Sequence, residues 1–227
     1  MTDQTARLDW RDGIIPISTR FDDPYFSLDN GLNETRYVFV QGNDLRDRFG
    51  GPLRIAELGF GTGLNFLVTW DEWATAGAMH PLHFTSFEAF PMALPDMAQA
   101  LSAFPEVADR AARLLAALQT GGPTHDFGQV RLEIITGDVR QTLPQWAGLA
   151  DAWFLDGFSP AKNPEMWEET LMVEIARHTA RGGTVATYTA AGHVRQKLTA
   201  AGFDVTRVAG YGRKRHMTRA RLMPKES

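Results

Sequence analysis

Leu53-Arg54-Ile55-Ala56-Glu57-Leu58-Gly59-Phe60-Gly61-Thr62-Gly63 is the stretch on which the fold turns. Its first six residues form a short apolar run, and three glycines at alternate positions close it. A helical pattern follows from Leu64 to Thr75, with Leu64, Phe66, Leu67 and Trp70 on one face. Glycines let the chain turn sharply from strand to helix and let a ligand approach the backbone. The spacing is G-x-G-x-G, not the G-x-G-x-x-G of dinucleotide sites. No Gly-Lys-Ser/Thr follows, so it is not a Walker loop. Glu57 stands two positions before the first glycine. A carboxylate there sits badly beside a pyrophosphate and suits the cationic amino-acid end of S-adenosylmethionine.

The pattern repeats along the rest of the chain. Apolar runs at 82–87, 130–135, 150–155, 184–188, 203–208 and 216–222 read as further strands, giving seven with the first. Helical stretches fall at 92–104, 105–119, 164–180 (closed by Gly182-Gly183) and 191–200. Strands alternating with helices of this length predict an α/β fold, a mostly parallel sheet with helices on both faces. In such sheets ligands sit beyond the carboxyl ends of the strands. Those ends carry the glycine loop, Glu88, Gly137-Asp138 and Asp156. Glu88 can accept from both ribose hydroxyls, and Asp138 from the adenine amine. Asp156 opens a loop made rigid by Gly157, Pro160 and Pro164, in which Phe158 is placed to stack on a flat base. Trp167 reads as core.

Residues 8–49 look different. Short apolar or aromatic runs broken at Gly13, Pro16, Asp22-Asp23-Pro24, Asp29-Asn30-Gly31 and Gly42-Asn43 suggest a small β-rich N-terminal appendage over 1–50, ahead of a catalytic domain over 51–227. The segment Glu34–Gly42 fits a strand or a short helix equally well.

The composition excludes several classes. With 227 residues, 44% hydrophobic and 22% charged, the chain is long enough to bury a core without staples. It has no cysteine, which removes disulfides, thiolate catalysis and cysteine-ligated metals. The six histidines show no ligand spacing beyond His80/His83, so no metal is expected. No uncharged apolar run approaches the ~18 residues of a membrane span, and Met1–Trp10 lacks the apolar core of a signal peptide. A cytoplasmic protein is expected. The net charge of −4 hides an asymmetry: from Asp204 onward seven cations face two acids, a net +5, leaving −9 for the rest. Arg213-Lys214-Arg215, between a Gly-Tyr-Gly turn and the last strand, is a candidate edge for a polyanion.

Four stretches carry a resemblance to a known family: Tyr25-Phe26-Ser27 with Gly31-Leu32-Asn33-Glu34-Thr35-Arg36-Tyr37-Val38-Phe39; Glu57 through Phe66; Trp153-Phe154-Leu155-Asp156-Gly157-Phe158-Ser159-Pro160-Ala161-Lys162-Asn163-Pro164; and Gly210-Tyr211-Gly212-Arg213-Lys214-Arg215-His216-Met217. Together they resemble the methyltransferase domain of the tRNA wobble-uridine enzymes MnmC, which also occurs alone as MnmD. Where Ser159 stands, the family more often has Ala. The resemblance implies a class I Rossmann-like methyltransferase. It would carry a methyl group from S-adenosyl-L-methionine to the amine of 5-aminomethyl-2-thiouridine in tRNA. The fused form also carries a flavin-dependent oxidase domain; 227 residues accommodate the methyltransferase and its appendage without it.

The expected cofactor shell is Glu57, Gly59, Phe60, Gly61, Thr62, Gly63, Asn65, Glu88, Gly137, Asp138 and Asp156. Asp156 is the expected catalytic residue: an alkyl ammonium must lose a proton before its nitrogen can attack, and Asp156 is placed to accept that proton or to orient the amine through a hydrogen bond. Phe158, Ser159 and Asn163 are expected at the uracil. Arg213, Lys214 and Arg215 are expected at the RNA backbone near the anticodon loop, and a separate enzyme would supply the aminomethyl uridine. The rival readings are a small-molecule amine methyltransferase, a nicotinamide-dependent oxidoreductase and an inactive RNA-binding module. The basic edge and the 156–164 loop disfavour the first, the glycine spacing and Glu57 the second, and the acids at the strand ends the third.

Overall fold

The computed structural model describes residues 5–27 and 30–224. Asp29, Lys225 and Glu226 lie outside them, so the expected turn at Asp29 and the last charges of the basic end are not described. Residues 8–24 form a small antiparallel sheet of β1 (Leu8–Arg11), β2 (Ile15–Ser18) and β3 (Asp23–Pro24). Asp12 and Gly13 turn the first hairpin with φ of 53° and 68°, a conformation that Asp tolerates and Gly adopts without strain.

The β-rich character ends there. Helix α1 (Gly31–Thr35) runs on into a π-helical segment, Arg36–Gln41, and a 3₁₀ turn, Leu45–Arg48, follows. The ambiguous segment is therefore helical. Its widened turn, with Gly42 N–H donating to the Tyr37 carbonyl, points Val38, Phe39 and Val40 inward together. These residues join the core that holds β4 and α2, so no gap in the core marks a boundary near residue 50.

The large sheet contains β4 (Leu53–Leu58), β5 (Leu82–Glu88), β6 (Thr124–Asp126), β7 (Val130–Thr136), β8 (Ala150–Leu155), β9 (Thr179–Thr187), β10 (Phe203–Ala209) and β11 (His216–Leu222). Their order is β10-β11-β9-β8-β4-β5-β7-β6. The central five are parallel, and β11 runs antiparallel between β9 and β10. The helices are α2 (Leu64–Thr75), α3 (Leu94–Leu101), α4 (Ala108–Gln119), α5 (Val139–Thr142), α6 (Glu169–Arg177) and α7 (Gly192–Ala200). All seven expected strands are present, and β6 adds an eighth. Thr124-His125-Asp126 lies among glycines and is polar, so only its antiparallel pairing with β7 makes it a strand.

The period of two in the strands builds two cores. Ile55, Phe84, Leu132 and Phe154 face α2, α3 and α4 on one side. Leu58, Phe87, Trp153 and Leu155 face α5, α6 and α7 on the other. Burying each such aliphatic or phenyl side chain is worth about 1.5–3 kcal/mol. The same parity puts Glu57, Ser86, Glu88 and Asp156 on the face shared with α2. One expectation changes. The helix expected over 164–180 ends at Arg177, and Gly182-Gly183 lies inside β9. There the pairing with β8 slips, and a side chain at Gly183 would strike Thr179 and the Ala180 carbonyl.

Candidate active site

The carboxyl ends of β4, β5, β7 and β8 open into a cavity of about 960 Å³. The glycine loop forms its floor. Gly59, Gly61 and Gly63 all take positive φ, at 85°, 53° and 77°. A side chain would meet the Asp156 carbonyl at Gly59, the Tyr25 ring at Gly61, and Phe60 with Leu114 at Gly63. The alternate spacing thus reflects three separate close approaches. Gly63 caps α2 behind the loop and does not line the cavity; Gly59, Phe60, Gly61 and Thr62 do.

Glu88 secures this loop. One carboxylate oxygen accepts from Gly61 N–H at 2.8 Å and the other from Phe90 N–H at 2.7 Å. The residue also lines the cavity. Burial raises its pKa against these backbone hydrogen bonds.

Glu57 behaves otherwise than expected. It is 1% exposed and does not line the cavity. Its oxygens accept from Ser86 Oγ at 2.7 Å and from Asn65 Nδ2 at 2.8 Å. Burial pushes its carboxyl well above the ordinary carboxylate range against the hydrogen bonds from Ser86 and Asn65, and the group faces the interior and not the cavity. The parity of β4 turns it under the loop, into the space between sheet and α2. Its effect reaches the cavity through Asn65. The same Asn65 nitrogen donates to Asp156 Oδ2 at 2.6 Å, while Thr35 Oγ1 donates to Asn65 Oδ1 at 2.9 Å. Both amide hydrogens and the amide oxygen are used, which determines the orientation of the group.

Asp156 lines the cavity at the end of β8. Burial pushes its carboxyl up to about 6; the Asn65 hydrogen bond and the Lys214 charge oppose the rise, and the Glu34 charge adds to it. Gly137 and Asp138 also line the cavity. Asp138 caps α5 through Arg140 N–H, and its carboxylate binds the Arg140 guanidinium at 2.6 Å. That cation holds the Asp138 carboxyl below its usual range and bridges to Glu165 at 3.0 Å. An adenine amine at Asp138 would share this carboxylate with Arg140.

The far wall comes from the N-terminal segment. Phe158 stacks on Phe21 at 4.7 Å and meets the edge of Tyr25, so one face of the ring expected to receive a base is already covered. Ser159 N–H donates to Asp23 at 2.9 Å, and Lys162 pairs with Asp22 at 2.7 Å. Asn163 is buried in the same wall, and Trp167 is core, its indole N–H donating to the Phe158 carbonyl. Arg213 and Lys214 line the mouth; Arg215 is exposed beyond it. Lys214 turns inward to Glu34 at 2.7 Å and stands 4.3 Å from the Tyr188 ring centre. Ser86, Arg140, Phe21 and Tyr188 carried no motif that signals a site role, and Tyr25, Glu34 and Thr35 stood in the first of the resembling stretches without such a role. Ser86 was accessible through β-strand parity, and Arg140 through its place in the first turn after a capping Asp.

Among the described residues no cluster of His, Asp and Glu could hold a metal ion, and no helix is long and apolar enough to cross a membrane. The glycine floor, an acid at the end of the second parallel strand, and an antiparallel strand slotted between the last two define a class I S-adenosylmethionine-dependent methyltransferase. Residues 103–223 match the family model described as S-adenosyl-L-methionine-dependent methyltransferase, and the chain belongs to that family. It is 48% identical over 223 residues to the tRNA 5-methylaminomethyl-2-thiouridine biosynthesis bifunctional protein MnmC of Ectopseudomonas mendocina, covering 93% of this chain and 34% of that protein. The protein of the same name from Chromobacterium violaceum is 46% identical over 231 residues, covering 96% and 34%. The chain thus spans about a third of the length of these relatives. The crystal structure of MnmC2 from Aquifex aeolicus superposes with a TM-score of 0.77 at 27% identity, covering 96% of this chain and 72% of that one.

Proposed function

We propose that the chain methylates the amine of 5-aminomethyl-2-thiouridine at the tRNA wobble position, giving 5-methylaminomethyl-2-thiouridine. The observation that carries this reading is the match of nearly the whole chain to proteins named for that biosynthesis, joined to a cavity whose one acid at the end of β8 is half-neutral near pH 6. S-adenosyl-L-methionine supplies a methyl group on a sulfonium, so that a C–N bond forms as a C–S bond breaks. The backbone of Gly59, Phe60, Gly61, Thr62 and Gly137 shapes its site, Glu88 takes the ribose and Asp138 the adenine, while Gly63, Glu57 and Asn65 hold the wall.

Asp156 accepts the proton that the acceptor ammonium must lose. An alkyl ammonium near 10.4 and a carboxyl near 6 differ by about 6 kcal/mol, too much for easy transfer. Burial of the ammonium beside a sulfonium lowers its pKa and narrows that gap. Asn65 fixes the Asp156 carboxylate, so the proton acceptor is already oriented. Phe158, Ser159 and Asn163 receive the uracil, and the basic loop lies toward the anticodon-loop phosphates. A separate enzyme makes the aminomethyl group, and both would work in the cytoplasm on shared tRNA.

The test is incubation of the full chain with S-adenosyl-L-methionine and tRNA carrying aminomethyl-thiouridine, followed by nucleoside mass spectrometry. A nucleoside heavier by one methylene at the wobble position is expected. Equal turnover of a free small amine would overturn the RNA part and favour a small-molecule methyltransferase.

A further inference from the structure

Lys214 is the most informative side chain outside the acid network. It belongs to the turn joining β10 to β11, next to two exposed arginines, and its stem is almost half exposed. A lysine so placed should extend into water with its neighbours. Its ammonium instead points into the cavity. Glu34 Oε1 accepts from it at 2.7 Å, and the Tyr188 ring centre lies 4.3 Å away, within cation–π range.

The groups around that ammonium are built in. The Glu34 side chain is only 12% exposed and lines the cavity. It sits on α1, whose start is capped by Asn30, and its neighbour Thr35 anchors Asn65, which in turn holds Asp156. The Tyr188 hydroxyl donates to the Gly157 carbonyl at 2.8 Å, which fixes the ring beside the residue following Asp156. The charges of both Lys214 and Glu34 are felt at Asp156. A carboxylate and an aromatic face therefore flank one alkyl ammonium, at the edge of a cavity that Asp156 also lines.

The acceptor in the reaction proposed above carries the same chemical head, a primary ammonium on a single methylene. We propose that Glu34, the Tyr188 ring and Asp156 form the seat of the acceptor ammonium, and that Lys214 occupies this seat until the substrate amine displaces it. This rests on the amine-methyltransferase reading. Glu34 and Tyr188 hold the cation, and Asp156 takes its proton. Lys214, once released, reaches the rim beside Arg213 and Arg215, where an incoming phosphate offers it a new partner. The seat thereby favours a protonated primary amine over a neutral group of equal size, and exchanges an internal ion pair for contacts with the RNA.

Two measurements test this on the full chain. In the first, n-butylammonium is titrated into the protein by NMR, with n-butanol as the neutral control. Lys214→Ala should bind n-butylammonium about tenfold or more tightly than the unmodified chain, as expected for a vacated charge-assisted site, and Glu34→Gln in the same background should abolish the gain. No gain in Lys214→Ala, or a gain that persists without Glu34, would overturn the proposal. In the second, Glu34→Gln should lower kcat/KM on aminomethyl-uridine tRNA about tenfold or more, with S-adenosyl-L-methionine affinity by calorimetry and melting temperature unchanged. Tyr188→Phe should keep most activity and Tyr188→Leu should lose it. Glu34→Gln at full kcat/KM would refute the seat while leaving the function intact. An unmodified chain that methylates no such tRNA would refute the function, and the butylammonium titration would still decide the seat.

Discussion

The two sides of the cavity are made differently. The cofactor side is the ends of β4 and β5, the glycine loop and α2, pieces close in sequence or adjacent in a parallel ladder. Its polar groups are buried and satisfied inside the sheet: Ser86 and Asn65 on Glu57, Gly61 and Phe90 N–H on Glu88. The side proposed for the acceptor is assembled from residues 20–27, the 156–163 loop and the 210–215 turn. Exposed ion pairs and ring contacts hold it, such as Lys162 with Asp22 and Phe158 on Phe21. Buried hydrogen-bonded carboxylates are costly to disturb, whereas exposed ion pairs contribute little and exchange readily with water. One side is therefore set before any ligand arrives, and the other can rearrange around a bulky substrate at small cost.

The largest effect is expected where the two sides meet. Asp156→Asn, which cannot accept a proton, should lower turnover about 10²–10⁴-fold while cofactor affinity by calorimetry stays near normal. A parallel loss of cofactor affinity would mean that Asp156 belongs to the rigid side alone. Next is Glu88→Ala. It leaves the Gly61 and Phe90 N–H groups without their acceptor and should weaken cofactor binding about 10–100-fold by the same measurement.

The pH dependence follows from Asp156. Its folded pKa of about 6 lies above the usual value of 3.8, so the folded protein binds that proton more tightly than the unfolded chain does. Stability from this group is therefore greatest at low pH and falls as pH rises from about 4 to about 6, by about 3 kcal/mol. Glu57 and Glu88 act in the same direction. Activity runs oppositely: single-turnover rates should fall about tenfold per unit below pH 6, because the base becomes protonated. Urea melts of the parent and Asp156→Asn at pH 7.5 should show the variant more stable.

On the acceptor side the effects are smaller. Arg213→Ala with Arg215→Ala should lower the slope of log affinity for tRNA against log salt by about 1.4–1.8, two phosphate contacts' worth. An unchanged slope would remove these residues from the RNA surface. Lys162→Ala, which opens the contact to Asp22, should raise KM for tRNA a few-fold and leave the melting temperature where it was. A lowered melting temperature instead would show that the N-terminal segment is part of the rigid frame.

Most of the sheet was legible from residues 53 to 222 because parallel strands buried on both faces leave apolar runs, and strand ends carry the acids. β6 was not, since three polar residues become a strand only by pairing with β7. The helical form of residues 36–41 was undecided for a related reason. Three consecutive inward residues fit a buried strand as well as a π-turn, and only contact with α2 and β9 selects the latter. Gly182-Gly183 looked like a helix stop, because glycine marks both helix ends and the bulges of strands.

The alternation of strand and helix, the glycine turn after β4 and the acids at the strand ends were already written in the sequence. Those are local properties, set by side-chain period and by the conformational freedom of glycine. What surrounds each acid followed from the packing of distant segments. Glu57 is turned away from the cavity by strand parity, and Asp138 is already shared with Arg140. Glu34 comes to Lys214 across 180 positions of chain. Charge and burial act through space, and no local pattern encodes which distant residue will stand within 3 Å of a given carboxylate.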